Sequence, residues 1–377
     1  MESFKFINLN KAKILFKENV KLENTEKFKF FKYNVNFKSK IFCIALFSIL
    51  YLIYLFKFKY TRIFPNLSLA KVYESNKINS AEKIIKESFE IQKDFCNNPN
   101  KYFNKQYENM IKLTDFRFKN IFYQLFVYKK GDNHMSNFIM RTKGYDINEM
   151  TNFYDILEHY RKEKNILNKK DVYMLDLGGN LGVYPSYFGR LGYTVISFEA
   201  SPRNYYLLKK NYCQINRNAE NIIIINRGVS NYEGICNYYT QITGLGNGML
   251  KCDENRESFD NAGFHWIKTF EVPIIKLSNF IPYFSKKNLA LIKLDIEGSE
   301  ALVMKDAIDL IKKYHIPYIY SEFSTNMINE HGNNPREYIK LFTDNGYKVN
   351  KKGFLSKKFI PPDKVSPGNL YFTYFGK

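Results

Sequence analysis

Val172-Tyr-Met-Leu-Asp-Leu-Gly-Gly-Asn-Leu-Gly182 decides the fold. A short apolar run ends in Asp176 and breaks into a glycine-rich turn, Gly178, Gly179 and Gly182, before a helical pattern that starts near Val183. Glycine in such a turn lets backbone approach a ligand closely and take positive φ. The spacing is not the dinucleotide G-x-G-x-x-G, and no Gly-Lys-Ser/Thr follows, which argues against a triphosphate loop. From here onward short apolar runs alternate with helical patterns, the signature of β-α units around a mostly parallel sheet.

Working outward, Tyr193-Thr-Val-Ile-Ser-Phe-Glu199 is a second apolar run that ends in an acid. Doubly wound sheets use an acid at this place to accept hydrogen bonds from two vicinal ribose hydroxyls. Ser201-Pro202 then reads as an N-cap and first helical residue. A third run, 222–227, leads to Gly228-Val-Ser230. Leu291-Ile-Lys-Leu-Asp-Ile-Glu-Gly-Ser-Glu300 is the most specific stretch. Lys293, Asp295 and Glu297 share one side if the strand stays extended that far. Charges at the end of an apolar strand are costly to bury unpaired, which favours a site at the C-terminal edge of the sheet. The plainer alternative is a lysine–carboxylate pair at a helix start. After Gly298-Ser299 a helix is expected, with Ala301, Met304, Ile308 and Ile311 as its apolar stripe.

The chain has 377 residues and a formal net charge of +20. Residues 1–60 hold 12 basic and 4 acidic groups, whereas residues 169–377 hold 27 and 20. The region with the chemistry is therefore only mildly basic, and no nucleic-acid partner is expected. Five cysteines without a C-x-x-C pair exclude a disulfide scaffold and a thiolate zinc site. Cys236 and Cys252 could pair in an oxidising lumen.

Residues Ile41 to Phe56 carry no charge and are bracketed by Lys40 and Lys57. At 1.5 Å per residue the run covers about 24 Å, against roughly 30 Å for a hydrocarbon core. With snorkelling lysines it reads as a single transmembrane helix. The expected organisation is a basic cytosolic tail (1–40), the anchor (41–56), a stem (57–105) with one helical stretch over Ser80–Lys93, a lead-in (106–168) and a large domain (169–377). Lysine counts slightly favour a cytosolic N-terminus, hence a type II protein of the Golgi or endoplasmic reticulum.

Taken together, DLGGNLG, FEASP, NRGVS, EVPIIKLSNFI, KLDIEGSE and IPYIYSEF resemble successive blocks of FkbM-type S-adenosylmethionine-dependent methyltransferases. The resemblance runs from Phe122 to Gly346 and includes Asp132-Asn-His-Met-Ser-Asn-Phe-Ile139 as a lead-in. The family usually shows Ala where Gly179 stands and an acidic pair near Ser278-Asn279. What the resemblance implies is a class I, Rossmann-like, doubly wound sheet of seven strands. It also implies S-adenosylmethionine as cofactor and methyl transfer, usually to a hydroxyl, often of a sugar. Asp176, Gly178, Gly179, Asn180 and Gly182 would hold its methionine end, Glu199 and Ala200 the ribose, and Gly228 would lie beside the adenine. Asp295 and Glu297 would stand near the methyl as base or hydroxyl acceptor. Glu322, His134 and His265 (in a segment, 241–268, expected to be irregular and able to close over substrate) are outside candidates. A divalent metal on Asp295 and Glu297 is a weaker alternative, and none is expected. The expected activity is thus O-methylation of a glycan or glycoconjugate hydroxyl. The alternatives are methylation of a protein or lipid at the cytosolic face and a binding protein without turnover.

Overall fold

The computed structural model describes residues 69–376, apart from 216–218, 253, 254 and 262. Leu69–Lys377 is one unit. Its lead-in comprises α1 (Leu69–Asn97), α2 (Lys105–Met110), β1 (Ile111–Phe118), β2 (Ile121–Tyr128), α3 (Met135–Thr142) and α4 (Ile147–Glu163). Next come β3 (Val172–Leu177), α5 (Val183–Arg190), β4 (Thr194–Phe198), α6 (Pro202–Cys213) and β5 (Ile222–Ile225). An insertion carries β6 (Gly228–Ser230), β7 (Gly234–Gln241), β8 (Gly244–Lys251), β9 (Ser258–Asn261) and β10 (Phe264–Lys276). The chain ends in α7 (Leu277–Phe280), β11 (Asn288–Leu294), α8 (Glu300–Lys313), β12 (Tyr318–Phe323), α9 (Thr325–Glu330), α10 (Pro335–Thr343), β13 (Tyr347–Asn350) and β14 (Gly368–Tyr374).

Seven strands form the main sheet in the order β13-β14-β12-β11-β3-β4-β5. The contacts β5–β4, β4–β3, β3–β11 and β11–β12 are parallel. β14 lies antiparallel between β12 and β13. Every residue of β4 and β5 is buried. This is why they read as unbroken apolar runs: helices cover a parallel sheet on both faces. α6 starts as expected, with Pro202 at its first position and Ser201 Oγ accepting from Asn204 N at 3.3 Å. The stripe Ala301, Met304, Ile308 and Ile311 of α8 is buried against the sheet.

Succession runs from β3 to β4 and β5 on one side, and to β11 and β12 on the other. The switch point between β3 and β11 is where an open α/β sheet binds its ligand, outside the carboxyl ends of the strands. The polar row across it is continuous. Lys293 is the register partner of Asp176, and Asp176 that of Ser197.

Two expectations need correction. Segment 241–268 is not irregular: β7, β8, β9 and β10 join β6 in a second sheet, with order β6-β10-β7-β8 and β9 on β10. Glycines 244, 246 and 248 interrupt the alternation that would have marked β8 as a strand. Trp266 turns inward there and stacks on Phe259, with ring centres 6.3 Å apart.

The described part of the expected stem is also not a spacer. α1 starts eleven residues before Ser80, and Ala81, Gln92, Phe95 and Cys96 are buried on the domain. Gln92 Nε2 donates to Ile222 O at 2.8 Å, and Ile224 N donates to Gln92 Oε1 at 3.0 Å. One side-chain amide thus satisfies the free edge of β5, which would otherwise invite another strand.

Among the described residues the Cys236–Cys252 pair left open by the sequence forms, and a second bridge joins Cys96 to Cys213, beside an ample apolar core. The tail and the apolar run 41–56 lie outside the described residues. Among those described, no helix is long and apolar enough to cross a membrane.

Candidate active site

A cleft with about 540 Å³ of empty space, open to solvent, sits at the switch point. Gly178 and Asn180 enter it from the turn after β3, and Glu199 and Ala200 from the end of β4. Arg227 and Gly228 follow β5; Asp295 and Glu297 follow β11. Gly246, Gly248 and Leu250 of β8 face it from the second sheet, with Tyr238 of β7 beside them.

Close approach of backbone shapes the floor. Gly178 has φ +93°, and a Cβ there would collide with the carbonyl oxygen of Asp295. A side chain on Gly248 would collide with the Tyr238 hydroxyl. The cleft therefore keeps room for a flat ligand between the two sheets.

Glu199 is 5% exposed and ties two loops together. Its Oε2 accepts from Asn180 N at 2.7 Å and its Oε1 from Ser201 N at 2.8 Å. Each oxygen keeps a second lone pair for a hydroxyl. Burial pushes this carboxyl up to about 7, against the pull of the two backbone N–H groups. Asn226 Nδ2 donates to the carbonyl oxygens of Glu199 and Ala200 at 2.8 and 3.2 Å, fixing the loop.

Lys293 anchors the other side. Its Nζ lies 3.2 Å from Asp176 Oδ1 and 3.2 Å from Asp295 Oδ2, and donates to Gly178 O at 3.0 Å. Burial alone would lower the lysine pKa, but Asp295 and Asp176 outweigh it and hold the proton more tightly than usual. Asp176 Oδ2 also accepts from Ser197 Oγ at 2.8 Å.

β11 stops at Leu294, and the chain then turns through Glu297 (φ +55°) and Gly298 (φ +98°). Glu297 thus leaves the line of Lys293 and Asp295, yet still lines the cleft. Burial first, and Asp295 second, push its carboxyl up to about 8. The β11–β12 register pairs Leu294 with Ser321 and so places Glu322 next to Asp295. That neighbouring charge, and then burial, hold Glu322 well above the usual carboxylate range. Asp146, at the start of α4, accepts from Tyr184 Oη at 3.0 Å, and burial pushes it up to about 7.

Of the residues expected here, Gly178, Asn180, Glu199, Ala200, Gly228, Asp295 and Glu297 line the cleft. Asp176, Gly179 and Gly182 do not. Asp176 is fully buried beneath the turn as the partner of Lys293. Gly179 packs on Ser197 and Leu208, and Gly182 on Leu208. His265 pairs its Nδ1 with Asp260 Oδ1 at 2.8 Å on the exposed rim of the second sheet. His134 sets its ring edge-on to Phe264 at 5.9 Å. Neither lines the cleft. Sequence reasoning missed Arg227, Tyr238, Gly246 and Gly248, which line the cleft. The alternating glycines 244, 246 and 248 were a readable sign that backbone approaches a ligand there. Among the described residues no group of three or more His, Cys, Asp or Glu is set to hold a metal ion.

The fold is thus an α/β doubly wound sheet of seven strands with one antiparallel strand, and its cleft lies between a glycine turn after the first strand and an acid after the second. Residues 176–349 match the family described as the methyltransferase FkbM domain, and this part of the chain is a domain of that family. The match to that family implies S-adenosylmethionine as the methyl donor. No curated protein matches the sequence. Among solved structures, the bifunctional kinase-methyltransferase WbdD is similar at 11% identity and TM-score 0.34. That match takes in 61% of this chain and 40% of the other, so the present chain spans well under two thirds of it. An O-methyltransferase from Thermotoga maritima is similar at 12% identity and TM-score 0.30, over 70% of this chain and 78% of that one. A TehB-like methyltransferase from Corynebacterium glutamicum follows at 10% identity and TM-score 0.26, over 60% and 98%.

The residues present fit the cofactor. Glu199 keeps free lone pairs at the end of β4, glycines leave the space beside them open, and Asn180 Oδ1 is buried without a hydrogen-bond partner.

Proposed function

We propose that the protein methylates a hydroxyl oxygen of a glycan or glycoconjugate, in the lumen of the Golgi or endoplasmic reticulum. The observation that carries the reaction type is the carboxylate of Asp295, held at the mouth of the cleft by Lys293 at 3.2 Å. When bound, S-adenosylmethionine supplies an activated methyl on a sulfonium. The chain then has to align a nucleophile in line with it and take the nucleophile's proton.

Glu199 is the group to hold the ribose, with Ala200 and Gly228 along the adenosine part and Gly178 and Asn180 toward the methionine part. Asp295 accepts the proton of the acceptor hydroxyl as its oxygen attacks. Glu297, pushed up to about 8, keeps its proton near neutral pH and can donate a hydrogen bond to a further hydroxyl of the acceptor. A set of carboxyl groups alternating between donor and acceptor suits a polyol better than an apolar acceptor. Lys293 is a positioning residue, since it aims Asp295 and the Gly178 carbonyl together.

Disulfides Cys96–Cys213 and Cys236–Cys252 favour an oxidising compartment over the cytosol. The membrane attachment rests on the apolar run 41–56 and the basic tail before it. A screen of glycan acceptors with labelled S-adenosylmethionine tests the reaction. Asp295→Asn should lower turnover by about 10²–10⁴-fold while leaving cofactor binding intact. Equal turnover would remove Asp295 from the chemistry. Protease digestion of the domain in sealed microsomes would sink the luminal placement.

A further inference from the structure

A further opening lies away from the cofactor cleft. It is a groove with about 750 Å³ of empty space, open to solvent, between α4 and the β13–β14 side of the main sheet. Asn148, Thr151 and Asn152 line it from α4, Tyr371 from β14, and Lys351 and Lys352 from the end of β13. Glu149 of α4 lines it as well and links it to the cleft. Glu149 Oε1 accepts from Asn369 Nδ2 at 2.7 Å, and Asn369 is the register partner of Glu322. Glu322 in turn stands next to Asp295.

The topology puts both openings on one edge. β13 runs in the same direction as β12, because each is antiparallel to β14. Lys351 and Lys352 therefore leave the sheet at the same edge as Asp295, three strands along. At about 4.8 Å per strand the separation is roughly 14 Å. A short oligosaccharide with its reacting hydroxyl at Asp295 can reach that far.

Charge changes sign along the edge. Asp295, Glu322 and Glu149 supply carboxyl groups at the near end. At the far end Lys351 Nζ donates to Ser366 O, Ser366 Oγ and Pro367 O at 3.3, 3.0 and 2.6 Å. These acceptors are neutral and leave its charge in place. Lys352 is exposed beside it. The loop that these two residues open, 351–367, holds five lysines and one aspartate. A ligand lying along the edge thus meets carboxyl groups where it reacts, amide and hydroxyl groups of α4 beyond, and ammonium groups last. Hydroxyls suit the first two, whereas the last calls for an anion. We propose that the groove is a subsite for an acidic sugar of the acceptor, a uronic acid or a sulfated residue, held by Lys351 and Lys352 while a hydroxyl further along the same glycan meets Asp295.

The inference rests on the glycan reading and adds the charge of the acceptor to it. Its test is methyl transfer from labelled S-adenosylmethionine, by the full chain, to an array of neutral, uronic-acid-containing and sulfated oligosaccharides. Wild type should prefer one acidic class over its neutral counterparts by about 10-fold or more in kcat/KM. The two acidic arms tell a carboxylate from a sulfate. Lys352→Glu should cut that preference about 5- to 20-fold, the scale of losing and then opposing an exposed charge pair. The loss should appear in KM and not in kcat. A thermal melt checks that the variant is folded, and the wild-type preference should itself shrink as salt is raised. Equal use of acidic and neutral oligosaccharides by wild type, or a preference indifferent to salt, overturns the subsite and leaves the glycan reading standing. An unchanged preference in folded Lys352→Glu overturns it as well, and gives the lysines to another anion such as a membrane surface. No transfer to any sugar, with S-adenosylhomocysteine still bound, overturns the glycan reading and this subsite with it.

Discussion

Lys293 and Asp176, register partners on adjacent strands, form an ion pair 3.2 Å long whose side chains are 2% and 0% exposed. The pair lies directly under the glycine turn, and the same ammonium reaches Asp295 at the surface of the cleft. Removing one partner of a buried pair strands the other charge, at a cost of about 3–5 kcal/mol. Lys293→Met should lose stability on that scale in urea denaturation. The double variant Lys293→Met, Asp176→Leu should recover most of it, because packed apolar residues can replace a buried pair at little cost. A loss under about 1 kcal/mol in the single variant would mean that water relieves the stranded carboxylate.

Cofactor affinity should depend on pH through Glu199. Its carboxyl titrates at about 7 in the free protein, raised by burial. Two ribose hydroxyls are best met by the ionised form, so binding should strengthen as pH rises through 7 and weaken about tenfold per unit well below it. Glu199→Gln should bind more weakly and show no inflection of this origin. Calorimetry from pH 5.5 to 8.5 on both proteins separates Glu199 from Glu297 and Asp146, which remain in the variant. A flat wild-type profile would place the ribose elsewhere.

The ligand-free protein should be more stable in mild acid than at neutrality. Glu199, Glu300 and Asp146 are pushed up to about 7, and Glu297 to about 8, in each case mainly by burial. Between the unfolded carboxylate values near 4.5 and these raised ones, the folded chain binds more protons than the unfolded chain. Stability is therefore fully present below the unfolded values and is lost as pH rises through about 7 to 8. Thermal midpoints measured from pH 5 to 8 should fall across the series, and a rising series would contradict the burial of these acids.

The Cys96–Cys213 bridge should matter more than its distance from the cleft suggests. Its residues are 117 apart in sequence, so it constrains a long stretch of unfolded chain. The paired variant Cys96→Ser, Cys213→Ser should lose about 2–5 kcal/mol. Gln92→Ala should cost about 1–3 kcal/mol, because it leaves the edge groups of Ile222 and Ile224 without their partner. If Gln92→Ala alone is neutral in chemical denaturation, water must satisfy that edge in place of the side chain.

Much of the main sheet was legible because a parallel sheet buries both faces of its strands. Val172–Leu177, Thr194–Phe198 and Asn288–Leu294 consequently stand out as apolar runs, each followed by the loop that carries chemistry. Glu199 and Asp295 could be read from their places at the ends of those runs. Asp176 looked the same in sequence, yet its side chain points into the polar row between strands instead of the cleft. Residues brought in from other elements had no such marker. Tyr238, Gly246 and Gly248 reach the cleft through a hairpin whose glycines hide its strand pattern. The bridge from Cys96 to Cys213 depends on α1 lying along β5, which neither segment announces by itself.

That docking of α1 sets an order of events for a chain made from its N-terminus. The helix emerges early, but the backbone that Gln92 must meet lies 130 residues further on. Until β5 and α6 exist, its apolar side has nowhere to go. No cysteine occurs between Cys96 and Cys213, so the next thiol to leave the ribosome after Cys96 is its proper partner. The first described element of the domain to be synthesised can thus be seated only once β5 and α6 exist, and the bridge then ties it covalently to the end of α6.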